Sequence, residues 1–536
     1  MDAPTPITRV LIVGGTLTAW IAATRLASAF RDTVEVTVLE TPHRPTAQVT
    51  ALAATAQRDL FDHLGIPENV WMRASAASFD AAVTYDMTPA ADEKRTAPRP
   101  PAFILRNAVA PDCEGFPLTH VWNYLYATGQ TRTPVDGACF RETPLLAAGK
   151  SPRWLDGRSA FSYGWHADTG MLTHFLRATA VRSCGVRMLT GTLRGGPERA
   201  ERDEHGMLTA LHTTRGTLYA DLFLDCTGAD RLLITGVLAE PFTSDADHVP
   251  TDTAVTLTLP REAGARTVEP YTTVTAVEHG WTWRRPLLDR TGAGLAYAAA
   301  RTAPDEAART LLATLTPQRR EPALTHTPYR PGHIRRPWAG NCIALGEAAS
   351  VVDPLAEDHA ATLALLDRLV RNFPSAAARE TPAARFNEAA AHHHDHAVAL
   401  TQLRTPTTWQ PPRTPTPLTP TPLTPTPLTL TPLTPTPLTL ATLDAHRHGL
   451  APTPDELPLR TLLLALTPHT AAPPPALAHH PHALRTAADH FARIERHQRT
   501  LLETLPPAHA YLTRLHAPAA ATRTLLAASP QWVRAY

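Results

Sequence analysis

Gly14 and Gly15 stand directly after the apolar run Arg9-Val10-Leu11-Ile12-Val13 and just before Ala19-Trp20-Ile21-Ala22-Ala23, whose apolar residues have helical spacing. A strand that ends in glycine and turns into a helix offers free backbone N–H groups and the positive end of the helix dipole, so the chemistry served is anion binding. The β-branched run Val34 to Glu40 closes on an acid placed to hold a ribose hydroxyl, which completes the opening unit of a dinucleotide site. Other reactive types are sparse or scattered. The only lysines are Lys94 and Lys150, so lysine-dependent chemistry must use one of them. Five cysteines (Cys113, Cys139, Cys184, Cys226, Cys342) contain no CxxC pair, which argues against both a disulfide framework and a zinc site. Consecutive histidines at His392-His393-His394-Asp395-His396 point around a helix rather than at one ion, so they read as a solvated face, and His479-His480-Pro481-His482 as an exposed loop. No metal site is expected.

The elements that must position these groups follow from pattern. With 536 residues, two or more packed regions are expected. The runs Asp221 to Asp225 and Cys342 to Gly346 are short, apolar and stopped by polar or glycine residues, as buried strands of the opening sheet would be. Gly228 lies just beyond the first of those runs and Gly346 closes the second. Between Arg413 and Leu440 the chain becomes repetitive, with Thr421 to Leu430 written again as Thr431 to Leu440. Proline every two or three residues removes backbone donors, so the segment reads as an extended spacer with neither helix nor strand. Leu484 to Leu505 is amphipathic and should pack back on the main body. Lys plus Arg (50) nearly cancels Asp plus Glu (49), which leaves no field to steer nucleic acid or an anionic membrane to the surface. No apolar stretch of about 18 residues occurs and the first residues lack a signal-peptide pattern, so a reduced, cytoplasmic setting is expected.

Several segments, in order, resemble the flavin-dependent tryptophan halogenases. They are Leu64-Gly65-Ile66-Pro67-Glu68 with Trp71-Met72, Gly115 to His120, and Asp225-Cys226-Thr227-Gly228. Gly280-Trp281-Thr282-Trp283-Arg284-Arg285-Pro286 resembles the family's WxWxIP signature with Arg285 in the isoleucine position. Trp338 to Cys342, Asp353-Pro354-Leu355 and Arg496 to Arg499 follow. The resemblance implies an α/β fold of the FAD-dependent monooxygenase and halogenase type: a dinucleotide-binding parallel sheet, an inserted antiparallel sheet and a C-terminal helical region. It also implies a chemistry in which reduced FAD and oxygen generate hypohalous acid, which reaches a bound aromatic substrate through a tunnel ending at a lysine and its glutamate partner.

Measured against that chemistry, the chain departs at each working position. The family's GxGxxG reads Gly14-Gly15-Thr16-Leu17-Thr18-Ala19, so a β-branched threonine crowds the pyrophosphate turn while Ala19 is tolerable. The glycine-rich loop over the flavin falls on Ala47 to Leu52, without glycine. The cofactor set is thus Gly14, Gly15, Thr16, Ala19, Glu40, Gly228 and Gly346, with FAD binding weak or absent. The lysine position is Asp80 in Ser78-Phe79-Asp80, which lacks an ammonium proton to give. The glutamate position is Ala356, and Asp358-His359 replaces the Thr-Gly whose backbone holds halide. The aromatic clamp falls on Leu105 and Asn107, and the substrate segment after Leu450 is missing before the helix Arg460 to Leu466. Losing the stacking wall and the acid anchor removes several kcal/mol of indole binding.

The expected organisation is a core over 1–410, a Pro/Thr-rich linker over 411–440 and a helical region over 441–536. The leading functional expectation is a non-halogenating binding or scaffold homologue in natural-product (antibiotic) biosynthesis. Its partner would be a small metabolite, a second copy or an intact halogenase, with no nucleic acid or membrane. The alternatives are a repurposed enzyme using Asp80, Glu357, Asp358 and His359 for acid/base work along the former tunnel, and a flavin halogenase or monooxygenase with another substrate.

Overall fold

The computed structural model describes residues 6–42, 48–86, 101–106, 108–196, 199–262, 264–278, 280–315, 322–355, 359–375, 379–405, 434–453 and 456–517. Ala356, Glu357, Asp358, Asn107, Lys94 and Ala47 lie outside them, as does most of the proline repeat.

Continuous apolar runs become the buried centre of a six-stranded sheet, in the order Arg187–Thr190, Glu35–Glu40, Arg9–Val13, Leu222–Asp225, Cys342–Ala344, Trp338–Ala339. The first five strands are parallel and Trp338–Ala339 closes the edge antiparallel. Both runs assigned to this sheet from their apolarity are in it. The helix Leu17–Ala29 packs on it with eleven buried residues, among them Trp20 and Leu26. Gly14 makes the turn possible. Its φ is +137°, and a Cβ there would sit 2.2 Å from the Cys226 carbonyl oxygen.

The second layer is a seven-stranded sheet from Thr325–Pro328 through Thr253–Pro260, Arg290–Tyr297, Gly280–Pro286, Thr272–Val277 and Ala82–Asp86 to Ala102–Leu105. It is antiparallel except where Thr272–Val277 pairs in parallel with Ala82–Asp86. Trp281 and Trp283 are core residues here, and the Trp283 ring lies where a side chain on Gly294 would stand. The helices Leu457–Leu466 and Glu380–Arg404 cover this face with Leu459, Leu462, Leu463, Ala399 and Leu403. The amphipathic C-terminal segment is the helix Pro481–Thr504, which buries Ala483, Ala487 and Ile494 against Leu118, Val121 and Trp122 of the helix Leu118–Ala127.

Two expectations are corrected. The spacer does not stay extended to Leu440: a helix spans Pro437–His448. Its cause is local. Thr436 caps the helix by accepting from the Thr439 N–H, and Pro437 occupies the first turn, where no backbone donor is needed. The stretch aligned with a flavin-covering loop is, over Val49–Leu52, a fully buried strand paired antiparallel with Gly164–Asp168. Among the described residues, no helix is long and apolar enough to cross a membrane.

Candidate functional site

A cavity of about 330 Å³ opens where the first helix, the turns at Gly228 and Gly346 and the helices Ala360–Arg371 and Glu380–Arg404 converge. That volume lies near the lower end of the range for ligand pockets, roughly 300–1,000 Å³. Thr16, Gly228 and Gly346 line it, and so does His359.

Of the expected cofactor set, Gly14, Gly15, Ala19 and Glu40 are not among the lining residues. Thr16 is the N-cap of the helix Leu17–Ala29; its hydroxyl donates to the Cys226 carbonyl at 3.1 Å and accepts from the Ala19 N–H at 3.4 Å. The threonine thus takes up one of the backbone donors that a phosphate would use. Its methyl lies 4.0 Å from where a side chain on Gly228 would begin. Gly346, with φ of +62°, lets the turn approach Thr18, whose hydroxyl would lie 2.7 Å from a Cβ there. Glu40, at the end of its strand, faces Arg177 at 3.3 Å. Glu347 was missed: its carboxylate oxygen lies 3.3 Å from the Cβ position of Gly228, on the cavity wall. The glycines and Glu40 fit the frame of a dinucleotide site. Thr16 and the Glu347 carboxylate, beside the turn where phosphate charge would lie, fit it poorly.

Of the four groups expected to share a tunnel, the two within the described residues, Asp80 and His359, are not brought together. His359 is on the cavity, with Nε2 at 3.2 Å from the Thr50 hydroxyl. It has φ of +58° at the N-terminus of the helix Ala360–Arg371, a left-handed conformation that suits the glycine of the family motif. Glu357 and Asp358 lie outside the described residues. Asp80, expected on the tunnel as an acid or base, is not among the cavity-lining residues and is fully buried. Its strand Ser78–Asp80 pairs with Gly164–Asp168, which brings His166 alongside. Asp80 Oδ1 accepts from the Thr272 N–H at 3.1 Å and lies 3.3 Å from His166 Nε2, while Oδ2 is 2.7 Å from Arg106 Nε in an ion pair. Burial alone would raise the Asp80 carboxyl, but Arg106, then His166 and Arg285, outweigh it and hold it well below the usual carboxylate range. A carboxylate so paired is a fixed anion with no proton to exchange near neutral pH.

Arg285 joins the two regions. It is fully buried, and its guanidinium donates to the carbonyls of Val49 at 3.3 Å and Pro354 at 3.2 Å. Next to Pro354, Asp353 lines the cavity and pairs with Arg404, which also covers the Trp281 ring at 4.6 Å. The histidine run is corrected at one position: His394 is buried, not solvated, and meets Asp245 and His333. Its place eight residues after buried Phe386 and four before buried Val398 is a helical-face signal that the sequence did carry. His479, His480 and His482 are exposed as expected, but not all in a loop: His482 lies in the first turn of the helix Pro481–Thr504.

On the helix Leu457–Leu466, Arg460 is buried near His120 and His446. Burial first, and Arg460 second, lowers both imidazoles from 6.5 to about 4. The unfolded chain therefore takes up protons before the folded one, and stability falls as pH drops from about 6.5 to about 4. We expect the urea midpoint to fall between pH 7 and pH 5, and His446→Gln, which can keep the contact with Thr470, to flatten that fall. A midpoint independent of pH over this range would contradict the assignment.

The family model for tryptophan halogenase matches residues 9–411. The chain is 32% identical over 539 residues to the tryptophan 7-halogenase RebH of Lentzea aerocolonigenes, covering 95% of this chain and 99% of that protein. To the tryptophan 6-halogenase ThaL of Streptomyces albogriseolus it is 36% identical over 392 residues, covering 71% and 73%. Among solved structures, the tryptophan 6-halogenase SttH from Streptomyces toxytricini superposes with a TM-score of 0.78 at 27% identity, over 94% of this chain and 99% of that one. The fold also matches a structure from Shewanella frigidimarina, with a TM-score of 0.81 at 20% identity over 95% and 98%.

Proposed function

This chain belongs to the tryptophan halogenase family, and we propose that within it the chain is a non-halogenating member that binds a small metabolite in the cavity, with weak or no retention of FAD. The observation that carries this reading is Asp80. The position that the family resemblance assigns to the lysine is held by a buried carboxylate bound to Arg106, His166 and Thr272. Such a group can neither form a chloramine nor hand a proton to hypohalous acid. Thr16 and Glu347 support the cofactor half of the reading, since one occupies a helix N-terminus and the other adds negative charge beside it. FAD, when bound in this family, supplies the oxidising chemistry; no residue described here substitutes for it. A role in antibiotic biosynthesis, alone or beside an intact halogenase, is the setting in which a retained but altered fold of this kind would serve. The reading that makes Asp80 an acid/base catalyst is disfavoured by the same ion pair.

The test is a halogenation assay with a flavin reductase, FAD, NADH, halide and free tryptophan, run beside RebH. No halotryptophan above the no-enzyme control is expected, and the purified protein should be colourless. Halotryptophan formation would overturn the proposal, and tight, stoichiometric flavin would overturn its cofactor half.

A further inference from the structure

Three side chains distant in sequence meet at one edge of the cavity. The strands Phe242–Ser244, Gly332–Ile334 and Ser350–Val351 form a small antiparallel sheet in which Thr243 pairs with His333 and His333 with Ser350. Asp245 follows the first strand directly, so its carboxylate lies beside His333, and the helix Glu380–Arg404 brings His394 down onto both. Asp245 Oδ2 is 2.9 Å from His394 Nε2 and 3.3 Å from His333 Nδ1, and the two rings have centroids 4.1 Å apart. The three donor atoms lie within 4.8 Å of one another. Asp245 and His394 are 6% and 5% exposed.

Two imidazole nitrogens and one carboxylate oxygen, all converging, are the donor set of a zinc-class ion. Bonds of about 2.0–2.2 Å in a tetrahedral arrangement would separate neighbouring donors by roughly 3.4 Å. The two separations from Asp245 Oδ2, 2.9 and 3.3 Å, need to open by about half an ångström or less, and the third lies within 4.8 Å. The outer shell is also present. Ser350 Oγ lies 2.8 Å from His394 Nδ1, which fixes the ring and leaves Nε2 directed at the acid. Holding two imidazoles against one carboxylate oxygen with no ion between them requires each to present a proton there, and a divalent ion removes that requirement. His333 and His394 both line the cavity, so a fourth position is reachable by water or by a bound molecule.

We propose that Asp245, His333 and His394 form a three-ligand site for a divalent transition ion of the zinc class, with the fourth ligand drawn from the cavity. The site stands whether or not the chain halogenates. It also gives the cavity a reason to persist beside an altered flavin turn: a metal-bound water or an anionic metabolite bound through the metal.

The full chain, stripped with chelator, is titrated with Co²⁺ alone. One equivalent should produce visible d–d absorption of a nitrogen- and oxygen-ligated site, and Zn²⁺ should abolish it by displacement. His333→Gln, at the most exposed of the three ligands, and His394→Ala should lose the spectrum, and Ser350→Ala should weaken Co²⁺ binding about tenfold or more. Thermal melting in the absence of metal identifies any variant that has not folded, and His333→Gln then decides. Replacing His479, His480 and His482 together by alanine should leave the spectrum unchanged. No spectrum from folded wild-type protein, a spectrum that survives in folded His333→Gln, or one lost with the three exposed histidines would each overturn the site.

Discussion

Asp80→Lys is expected to lower the melting temperature sharply and to restore no halogenation, although it returns the residue that the family resemblance places there. The reason is electrostatic. Arg106 and Arg285 act on position 80 as positive charges, and the site has no solvent contact. A lysine would add a third cation to a pocket from which water is excluded. The milder Asp80→Asn leaves Arg106 without its anion, and removing one partner of a buried pair costs about 3–5 kcal/mol. The pH dependence separates this loss from general fragility. A carboxyl whose folded value is depressed contributes fully above its ordinary value of 3.8, and loses that contribution as pH falls through the depressed one. The gap between wild type and Asp80→Asn in urea should therefore be flat from neutral pH to about pH 5, and narrow only in stronger acid. Equal stability of the two proteins at pH 7 would mean that the ion pair contributes nothing. Tryptophan halogenation by Asp80→Lys would mean that the residue at position 80 alone separates this chain from its active relatives.

Position 80 also marks how far sequence could be read. The family resemblance singled out Asp80, but not its partners. Arg106 follows the strand Ala102–Leu105, and its backbone is tied to Ala81; His166 arrives from a strand paired across the fold. Neither approach leaves a periodic signal. The parallel sheet was legible for the opposite reason: strands buried on both faces are continuous apolar runs, and Arg9–Val13, Leu222–Asp225 and Cys342–Ala344 are written that way. Composition misled at the repeat's end, where a threonine cap and a proline at the first turn, the same residues that spell a spacer, start the helix Pro437–His448. The Asp245, His333 and His394 cluster was hidden because each member comes from a different element and only His394 sits in an eye-catching run. Neighbouring histidines on a helix diverge, so the run reads as a solvated face, but one face of it is buried.

Two substitutions two residues apart should have opposite consequences, because one position serves the fold and the other bears on the cofactor. Gly14→Ala is expected to be among the most damaging single changes in the chain. Its Cβ would lie 2.2 Å from the Cys226 carbonyl oxygen and 2.6 Å from the carbonyl carbon, at φ of +137°. Neither backbone can retreat, because Val13 and Asp225 are paired in the centre of the parallel sheet. A loss above about 4 kcal/mol, read as little soluble protein or an early melt, is the expected result. Thr16→Gly should fold normally. It surrenders the cap on Ala19, worth only a few tenths of a kcal/mol when glycine replaces threonine at such a position, and the hydrogen bond to the Cys226 carbonyl, worth about 1 kcal/mol. It also frees that backbone donor and removes the methyl facing Gly228. FAD affinity should rise about tenfold, equivalent to roughly 1.4 kcal/mol, in a fluorescence titration. If Gly14→Ala is stable, the glycine is not retained for packing. An unchanged titration with Thr16→Gly would leave the Glu347 carboxylate, rather than Thr16, as the obstacle to the phosphates, and Glu347→Gln would then be the variant that gains affinity.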